Sequence, residues 1–580
     1  MAYNVLGIHP GHNGSAALLS DGKLIYYLEE ERLSRFKRDG NPFRVIIDMC
    51  SKYKIDELII GGNNEPFESN ILSWTAETPH AALVRKYNPD IKITWLNQEH
   101  HLLHATCAFY NSGFNKASII IVDGAGSVQD YTFKDNNDSL IEHPHDRGDK
   151  KIQGYEAESI WDANFLKEFN LKYKSFGTNG IVRINTEKYN FSNSTTITKA
   201  YESVTEFLGW HGIEGGKTMG LAPYGKKNPN IPPLFKNGRG NRDIFFSTWP
   251  MGGKIDNITN PIFTRNRNPE DFHNNPNQLL DIEADLAWHV QNDTQEEVAK
   301  LIEKSIELTG NKQICIAGGY GLNCVTNYWL KKRFPDLKIY QEPISHDGGT
   351  ALGAAYLGSI RALGLPPTQK QTSIYLGPQY PLETIKQSIK SYNNMFNPHK
   401  TTPEKIAKLI SERNIVTIFQ GRSEAGPRAL GNRSILYDPT DPNGKDFVNK
   451  VKNREWFRPF AGTVLLEKAH EYFDMAGLEE SPFMMYAMDV WPDKQEEIKS
   501  ITHVDGTCRI QTVTEEQNPH YYKLIQEFEK ITGTPILFNT SFNLAGDPLV
   551  ETIEDALETL LKSEIKYLYL PELEMLLEKK

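Results

Sequence analysis

The chain has 580 residues, 39% of them hydrophobic and 24% charged, with 64 basic against 74 acidic side chains for a formal charge of −10. At roughly 100–200 residues per domain, this length accommodates two to four domains, each able to bury its own core. Apolar runs such as Ser118 to Val122 and Ile314 to Ala317 fall far short of the roughly 18 residues of a membrane helix, so a membrane-spanning function is excluded, and the acidic balance disfavours indiscriminate binding to polyanions.

Along the chain, Tyr3 to Ile8 reads as a strand that starts without the basic region and long apolar stretch of a signal peptide. Cys50, Cys107, Cys315, Cys324 and Cys508 are an odd number, widely spaced, with no CxxC pair. Free thiols in a cytoplasmic protein are the expectation. A hairpin at Asp21-Gly22 follows, then the charged run Glu29 to Arg32. The segment from His100 to Phe109 is helix-compatible, and Ser118 to Val122 is a strand that runs into Asp123-Gly124-Ala125-Gly126. Helical periodicity spans Ile282 to Leu308, and a second strand, Ile314 to Ala317, runs into Gly318-Gly319-Tyr320-Gly321. A strand feeding a glycine-rich loop, met twice, predicts an α/β nucleotide-binding domain, because backbone N–H groups at such turns reach phosphate oxygens unobstructed. Composition shifts to Pro, Gln and Thr between Leu363 and Pro381. The expected division is a first domain over residues 1–362, a linker over 363–381 and a second α/β domain over 382–580.

Two constellations carry chemistry. On a helix, His100 and His104 lie one turn apart on the same face and reach a single metal ion. Asp123 ends a strand, and Asp347, in Ser345-His346-Asp347-Gly348-Gly349, sits where a strand meets a helix start. Two imidazoles and two carboxylates suit Fe(II), Mn or Zn better than Ca, and leave room for a substrate oxygen. His101 points about 100° away from its neighbour, which gives it a packing or supporting role. The second constellation is cationic: the run from Gly421 to Ser434, the run from Lys452 to Pro459, then Arg509, and Asn539-Thr540-Ser541-Phe542-Asn543. Arginine forks grip phosphate or carboxylate in pairs, and hydroxyls complete the coordination of a small anion. These arginines alternate with Gly, Pro and aromatics, the pattern of a pocket more than of a solvated helix face.

Together HPGHNGS (His9 to Ser15), the HHxxHA run, KTMGLAPYG (Lys217 to Gly225), GGYGLN, SHDGGTALGAA, GRSEAGPRALGNRSIL, KNREWFRPFA, HVDGTCR and NTSFN resemble, in order and over nearly the whole chain, the carbamoyltransferases of the nodulation and antibiotic-tailoring type. The resemblance implies an N-terminal domain of the actin/Hsp70/sugar-kinase fold, similar to threonylcarbamoyl-transfer proteins, and a C-terminal α/β domain similar to enzymes that make threonylcarbamoyl-adenylate. It implies that carbamoyl phosphate and ATP give carbamoyl-adenylate, whose carbamoyl group passes to an acceptor hydroxyl. Arg428, Lys452, Arg458, Arg509 and Ser541 match the family's adenylate-forming pocket, and His100, His104, Asp123 and Asp347 its metal ligands, with Fe(II) foremost. His12 matches a histidine near the transfer centre. Lys217, Gly318, Gly319 and Asn323 are expected nucleotide contacts. Asn13 and Gly14 stand where many relatives have an acidic and a small residue.

The acceptor is sought in residues 226–267, where eight basic side chains face two acidic ones for a local charge of +6. Phe235, Phe245, Phe246, Trp249 and Phe263 are interleaved. Cations meet phosphates and aromatics stack on bases, so this segment is expected to hold a nucleic acid or nucleotide acceptor; the resemblance, to a family with members that modify hydroxymethylated cytosine, implies that base in DNA or a nucleotide, the other acceptor class being a sugar or antibiotic hydroxyl. Two rival functions remain: a threonylcarbamoyl-adenylate-dependent tRNA-modifying enzyme, and a nucleotide-gated binding protein without covalent transfer.

Overall fold

A computed structural model describes residues 2–62, 78–96, 98–132, 151–165, 169–179, 183–248, 252–255, 261–263, 268–364 and 370–580. They form two compact units of mixed α/β structure, the first made of Met1–Ile25 and Gly40–Gln371, the second of Tyr26–Asp39 and Thr372–Lys580.

The first unit is built on two sheets of one plan. Strands β1 (Asn4–His9), β2 (Ser15–Ser20), β3 (Lys23–Glu29), β4 (Glu57–Gly61) and β5 (Lys92–Leu96) pair in the order β3-β2-β1-β4-β5, with β1 antiparallel to β2 and parallel to β4, and β4 parallel to β5. The second sheet has eight strands among the described residues, and five of them, β6 (Lys116–Val122), β7 (Lys151–Asn164), β8 (Asn170–Thr178), β9 (Gln313–Ala317) and β10 (Lys338–Gln341), lie in the order β8-β7-β6-β9-β10, with Val128–Thr132, Arg183–Asn185 and Tyr189–Ser192 added to it. Its senses repeat those of the first: β6 runs antiparallel to β7 and parallel to β9, and β9 parallel to β10. A duplicated third-second-first-fourth-fifth order is the arrangement that the actin/Hsp70/sugar-kinase resemblance implies.

Helices α1 (His100–Ser112) and α3 (Gly349–Leu363) pack on these sheets, and α2 (Asp281–Thr309) lies between them in sequence. Every residue of α1 except Leu102 is buried, and the helix stops at Gly113, whose φ of 71° is left-handed. Helix α3 presents small residues. A β-carbon on Gly353 would stand 2.0 Å from the Leu103 carbonyl oxygen, and one on Gly7 of β1 would stand 2.2 Å from that of Ala351. Glycine at both positions therefore lets α3 press its backbone against α1 and β1.

In the second unit nine strands form one mixed sheet: β11 (Phe396–Lys400), β12 (Val416–Phe419), β13 (Arg433–Tyr437), β14 (Ala461–Leu465), β15 (Ala487–Asp489), β16 (Thr507–Val513), β17 (Ile536–Ser541), β18 (Tyr567–Leu570) and β19 (Met575–Lys579), in the order β11-β19-β18-β12-β13-β17-β14-β16-β15. Helices α4 (Pro403–Ser411), α5 (Gly444–Val451) and α6 (Pro519–Thr532) flank it, and Ile406, Ile410, Val416, Ile418, Leu524 and Phe528 lie in its core.

The domain limits differ from those expected. Residues 26–39, which begin within β3, group with the second unit: the Tyr27 amide donates to the Leu376 carbonyl (3.0 Å), Arg32 Nη2 to that of Gly426 (2.7 Å), and Arg35 to those of Leu549 (2.8 Å) and Pro548 (3.0 Å). Burial alone would ease the proton off Arg32, but Glu29, Glu31, Glu551 and Glu424 outweigh it and hold the guanidinium charged. The expected linker is also divided. Residues 365–369 lie outside the described residues, Gln371 ends the first unit, and the Gly377 amide is bound to the Ser423 carbonyl at 3.0 Å. All five cysteines are buried and free.

Candidate metal and anion sites

In the first unit, α1, the end of β6 and the start of α3 bring His100, His104, Asp123 and Asp347 together, with one ligand atom of each within 4.8 Å of all the others. The Nε2 atoms of His100 and His104 face one another at 3.1 Å. His100 Nε2 lies 3.3 Å from Asp123 and 3.6 Å from Asp347, and His104 Nε2 lies 3.7 Å from Asp347. Three of the four are fully buried, and Asp347 stands at the partly exposed edge, the side from which a ligand has access. Burial opposes charge on His100, yet hydrogen bonds to Asp123 and Asp347 outweigh it and push its pKa up to about 10. Burial also opposes charge on Asp123, which the two histidines nevertheless hold below the ordinary carboxylate range. Two imidazole nitrogens aimed at each other between two carboxylates need a positive centre among them. The residues fit a divalent ion with nitrogen and oxygen ligands.

The surrounding loops hold this set in place. The Asp123 amide donates to the Ala157 carbonyl at 2.9 Å, and the carboxylate accepts the Gly319 N–H at 2.9 Å. Gly318 has φ 90°, and a β-carbon there would meet the Val122 carbonyl oxygen at 2.4 Å. Ser345 Oγ donates to the Gly318 carbonyl, and the Asp347 carbonyl accepts from the Thr350 hydroxyl. Gly319 thus spends its amide on a metal-site carboxylate. The Asn323 carboxamide caps the helix Cys324–Arg333 through the Thr326 amide and donates to Gln291 of α2, so both its ends are engaged within the protein. Lys217 pairs with Glu214 at 3.1 Å. Beside Asp123, a β-carbon on Gly124 would stand 2.8 Å from Glu202 Oε1, and Glu202 pairs with Lys199 at 2.7 Å.

His12 is exposed on the turn, while His9 is buried with its ring 6.0 Å from that of His100. Burial lowers the His9 pKa to about 3, against the opposing pull of Asp347. His9 opens the HPGHNGS motif, but the motif match pointed to His12; the signal for His9 was its position at the end of β1. His101 turns away from the cluster, as expected, to bond Ser159 Oγ at 2.8 Å.

The second unit gathers cations. Glu424 accepts three backbone N–H groups, from Leu430 (2.7 Å), Asn432 (2.9 Å) and Arg433 (3.2 Å), and so shapes the loop that carries Arg428. Arg422 and Arg433 are spent on carbonyls, Arg433 also stacking 3.7 Å over Phe419. Lys452 is buried at the end of α5, with Nζ donating to the Asn543 carbonyl (2.8 Å) and to the carbonyl of Ser541, whose hydroxyl donates to Asn543 Oδ1 (2.7 Å). Burial, then the charges of Arg454, Lys37 and Arg458, pull the Lys452 ammonium well below its ordinary value. Arg454 is lowered likewise by burial, Arg458 and Arg509, with Glu455 opposing. Arg458 lies 3.4 Å from Glu455, and Arg509 is on β16 opposite Ala461 and Ala487. Like charges 4 Å apart repel by about 4 kcal/mol in a partly buried setting. A cluster with one nearby acid is therefore built to receive an anion. Arg454 lay inside a motif read from the sequence but was not singled out, and Lys37 comes from residues 26–39, whose charged character was the only sign of it.

The basic segment 226–267 is partly consumed by the fold. Arg239 is buried, donating to the Phe176 and Asn190 carbonyls (3.0 and 3.2 Å), Arg242 bonds Ser194 Oγ (2.8 Å), and Lys236 pairs with Asp243 (2.6 Å). Phe245 and Phe263 are buried, whereas Lys226, Lys227, Lys254 and Phe246 are exposed. Trp249, Arg265 and Arg267 lie outside the described residues.

The family model described as the carbamoyltransferase N-terminus matches residues 64–356, and that of the carbamoyltransferase C-terminus matches residues 407–578. The chain is similar to nodulation protein NolNO of Sinorhizobium fredii (strain NBRC 101917 / NGR234), 28% identical over 96% of this chain and 77% of that protein. It is 31% identical to nodulation protein NolO of Bradyrhizobium diazoefficiens over 80% of this chain and 76% of that one. Among solved structures, full-length HypF in its phosphate- and nucleotide-bound form aligns at 11% identity and a TM-score of 0.29, over 63% of this chain and 56% of that chain. Among the described residues, no helix is long and apolar enough to cross a membrane.

Proposed function

Because the chain belongs to the carbamoyltransferase family, we propose that this transferase works in two steps on its two units. In the second unit carbamoyl phosphate loses its phosphate to water, and the resulting carbamate oxygen attacks the α-phosphorus of ATP, releasing pyrophosphate and leaving carbamoyl-adenylate. Arg428, Lys452, Arg454, Arg458 and Arg509, with Lys37, neutralise the phosphates, and the Ser541 hydroxyl orients the smaller anion. The observation that carries this reading is the cluster of cations around Lys452 with so little acid near it.

In the first unit His100, His104, Asp123 and Asp347 hold a divalent ion, Fe(II) foremost, with Mn and Zn as the other fits. When bound, the ion supplies Lewis-acid polarisation of a carbonyl or an acceptor oxygen. The chain's own groups do the rest: Asp347 guards the accessible edge, Gly319 keeps Asp123 in orientation, buried His9 packs beside the cluster as a neutral imidazole, and His12 on the exposed turn orients the acceptor hydroxyl and takes its proton. Lys217 and the Gly318 turn are the contacts for the adenylate's nucleotide within this unit. The acceptor is either a hydroxymethylated cytosine in DNA or a nucleotide, which the exposed Lys226, Lys227, Lys254 and Phe246 favour, or a sugar or antibiotic hydroxyl.

ATP–pyrophosphate exchange tests the first step. Exchange should require carbamoyl phosphate and should survive a transition-metal chelator used in excess Mg(II), which keeps the ATP complexed, while transfer to an acceptor, followed by mass spectrometry over sugars, nucleotides and hydroxymethylcytosine DNA, should stop under the same treatment. Exchange that needed threonine and bicarbonate would replace this reading with a threonylcarbamoyl one, and no exchange under either condition would leave only nucleotide binding.

A further inference from the structure

Helix α1 begins with a metal-site residue and has no cap of its own. Its N-cap is Glu99, which makes no capping bond, and the first turn holds no acidic side chain. The first N–H groups of a helix need acceptors. This need is met from β7. Glu156 Oε2 accepts the His101 amide at 3.3 Å and the Ser127 amide at 3.1 Å, and Ser127 Oγ accepts the His100 amide at 3.3 Å. Glu156 Oε1 is paired with Lys174, both side chains buried, and Lys174 Nζ stands 5.3 Å above the Trp161 ring. The strand register slips between Glu156 and Glu158, and the intervening Ala157 carbonyl is the group that accepts the Asp123 amide. One irregular stretch of β7 therefore fixes both the helix that bears His100 and His104 and the loop that bears Asp123. Gly126 makes room for this, since a β-carbon there would stand 2.8 Å from both Glu156 Oε2 and the His101 ring.

We infer that Glu156, held by Lys174, is a positioning residue for the metal centre: it caps α1 from another strand and, through the His101 and Ser127 amides, fixes the turn that carries His100. The inference rests on the reading of the four-residue cluster as a metal site, and the experiment separates the two. Full-length protein is titrated with Co(II), and the visible absorption of the bound ion reports affinity and ligand geometry. His104→Ala should abolish the signal. Glu156→Gln with Lys174→Met removes both charges of the pair without leaving either one buried alone, and should bind Co(II) about ten- to a hundredfold more weakly, with a shifted spectrum. Glu156→Asp keeps the charge but withdraws it by one methylene, and should fall between this double variant and the wild type. If His104→Ala bound Co(II) as the wild type does, the metal reading would fail. If His104→Ala lost Co(II) while the double variant kept wild-type affinity and spectrum, the role of Glu156 alone would fall. Should the double variant not fold, Glu156→Asp decides in its place, wild-type affinity and spectrum overturning the inference.

Discussion

At the scale of single residues, the two sites make opposite demands on charge, and substitutions should separate them. Arg509→Ala removes a cation from the anion cluster and should reduce pyrophosphate exchange by at least about a hundredfold, while His104→Ala should leave exchange intact and stop transfer to the acceptor. A different residue supplies a pH test. Glu342 is buried, with its carboxylate accepting the Ile344 amide (2.9 Å) and an Asn111 N–H (3.0 Å), yet burial outweighs these bonds and raises its pKa to about 7. The folded state then binds a proton more tightly than the unfolded chain, so stability is greatest below the unfolded carboxylate's pKa and declines as pH rises through about 7. The decline amounts to roughly 2–4 kcal/mol. In Glu342→Gln this part of the pH dependence should vanish, as urea midpoints measured from pH 4.5 to 8 will show. The four cluster residues were legible in the sequence because helical spacing and strand-to-glycine junctions are local patterns. His9, Lys37 and Glu156 were not singled out, because the groups that give them a role, His100, Lys452 and the start of α1, lie far away along the chain and only the folded backbone brings them close; Arg454 stood beside Lys452 and Arg458, and only its burial among them marks it out.

Among the elements, the tightest tolerance is between α1 and α3. The Leu103 carbonyl, which Gly353 approaches, sits between the two histidines of the metal cluster, so any displacement there moves both. Gly353→Ala should lower stability by about 1–3 kcal/mol as an overpacked contact and weaken metal binding at the same time, whereas Gly310→Ala, at a left-handed helix end (φ 68°) with nothing within 4 Å of an added β-carbon, should cost stability and leave metal affinity unchanged. Thermal melts paired with metal titrations distinguish the two outcomes. The helices and the two strand-glycine junctions followed from periodicity and composition. The doubled sheet order did not: strand pairing over more than a hundred residues is a tertiary choice, and the alternation of apolar residues records which face is buried, not which neighbour is chosen.

For the whole molecule, the division into units departs from chain order, because residues 26–39 are built into the second unit. Composition points to a break at the Pro-rich stretch after Leu363, whereas an excursion of fourteen residues, 26–39, carries no compositional mark beyond its charge. A fragment of residues 372–580 lacks the hydrogen-bonding groups that fill the surroundings of Glu551, Glu424 and the Gly426, Pro548 and Leu549 carbonyls. It should melt at a lower temperature than the same fragment given a peptide of residues 26–39, and the peptide should raise its melting point in a concentration-dependent way; an unchanged melting point would show the excursion to be dispensable. Synthesis adds a constraint of time. Arg35 leaves the ribosome early, but Leu549 and Asp555, its partners at 2.8 and 3.4 Å, follow roughly 500 residues later, which at about 5–20 residues per second is a wait of about half a minute to two minutes. Over that interval the groups of residues 30–39 that bond the second unit wait for their partners, so the last residues translated complete a structure begun by some of the first.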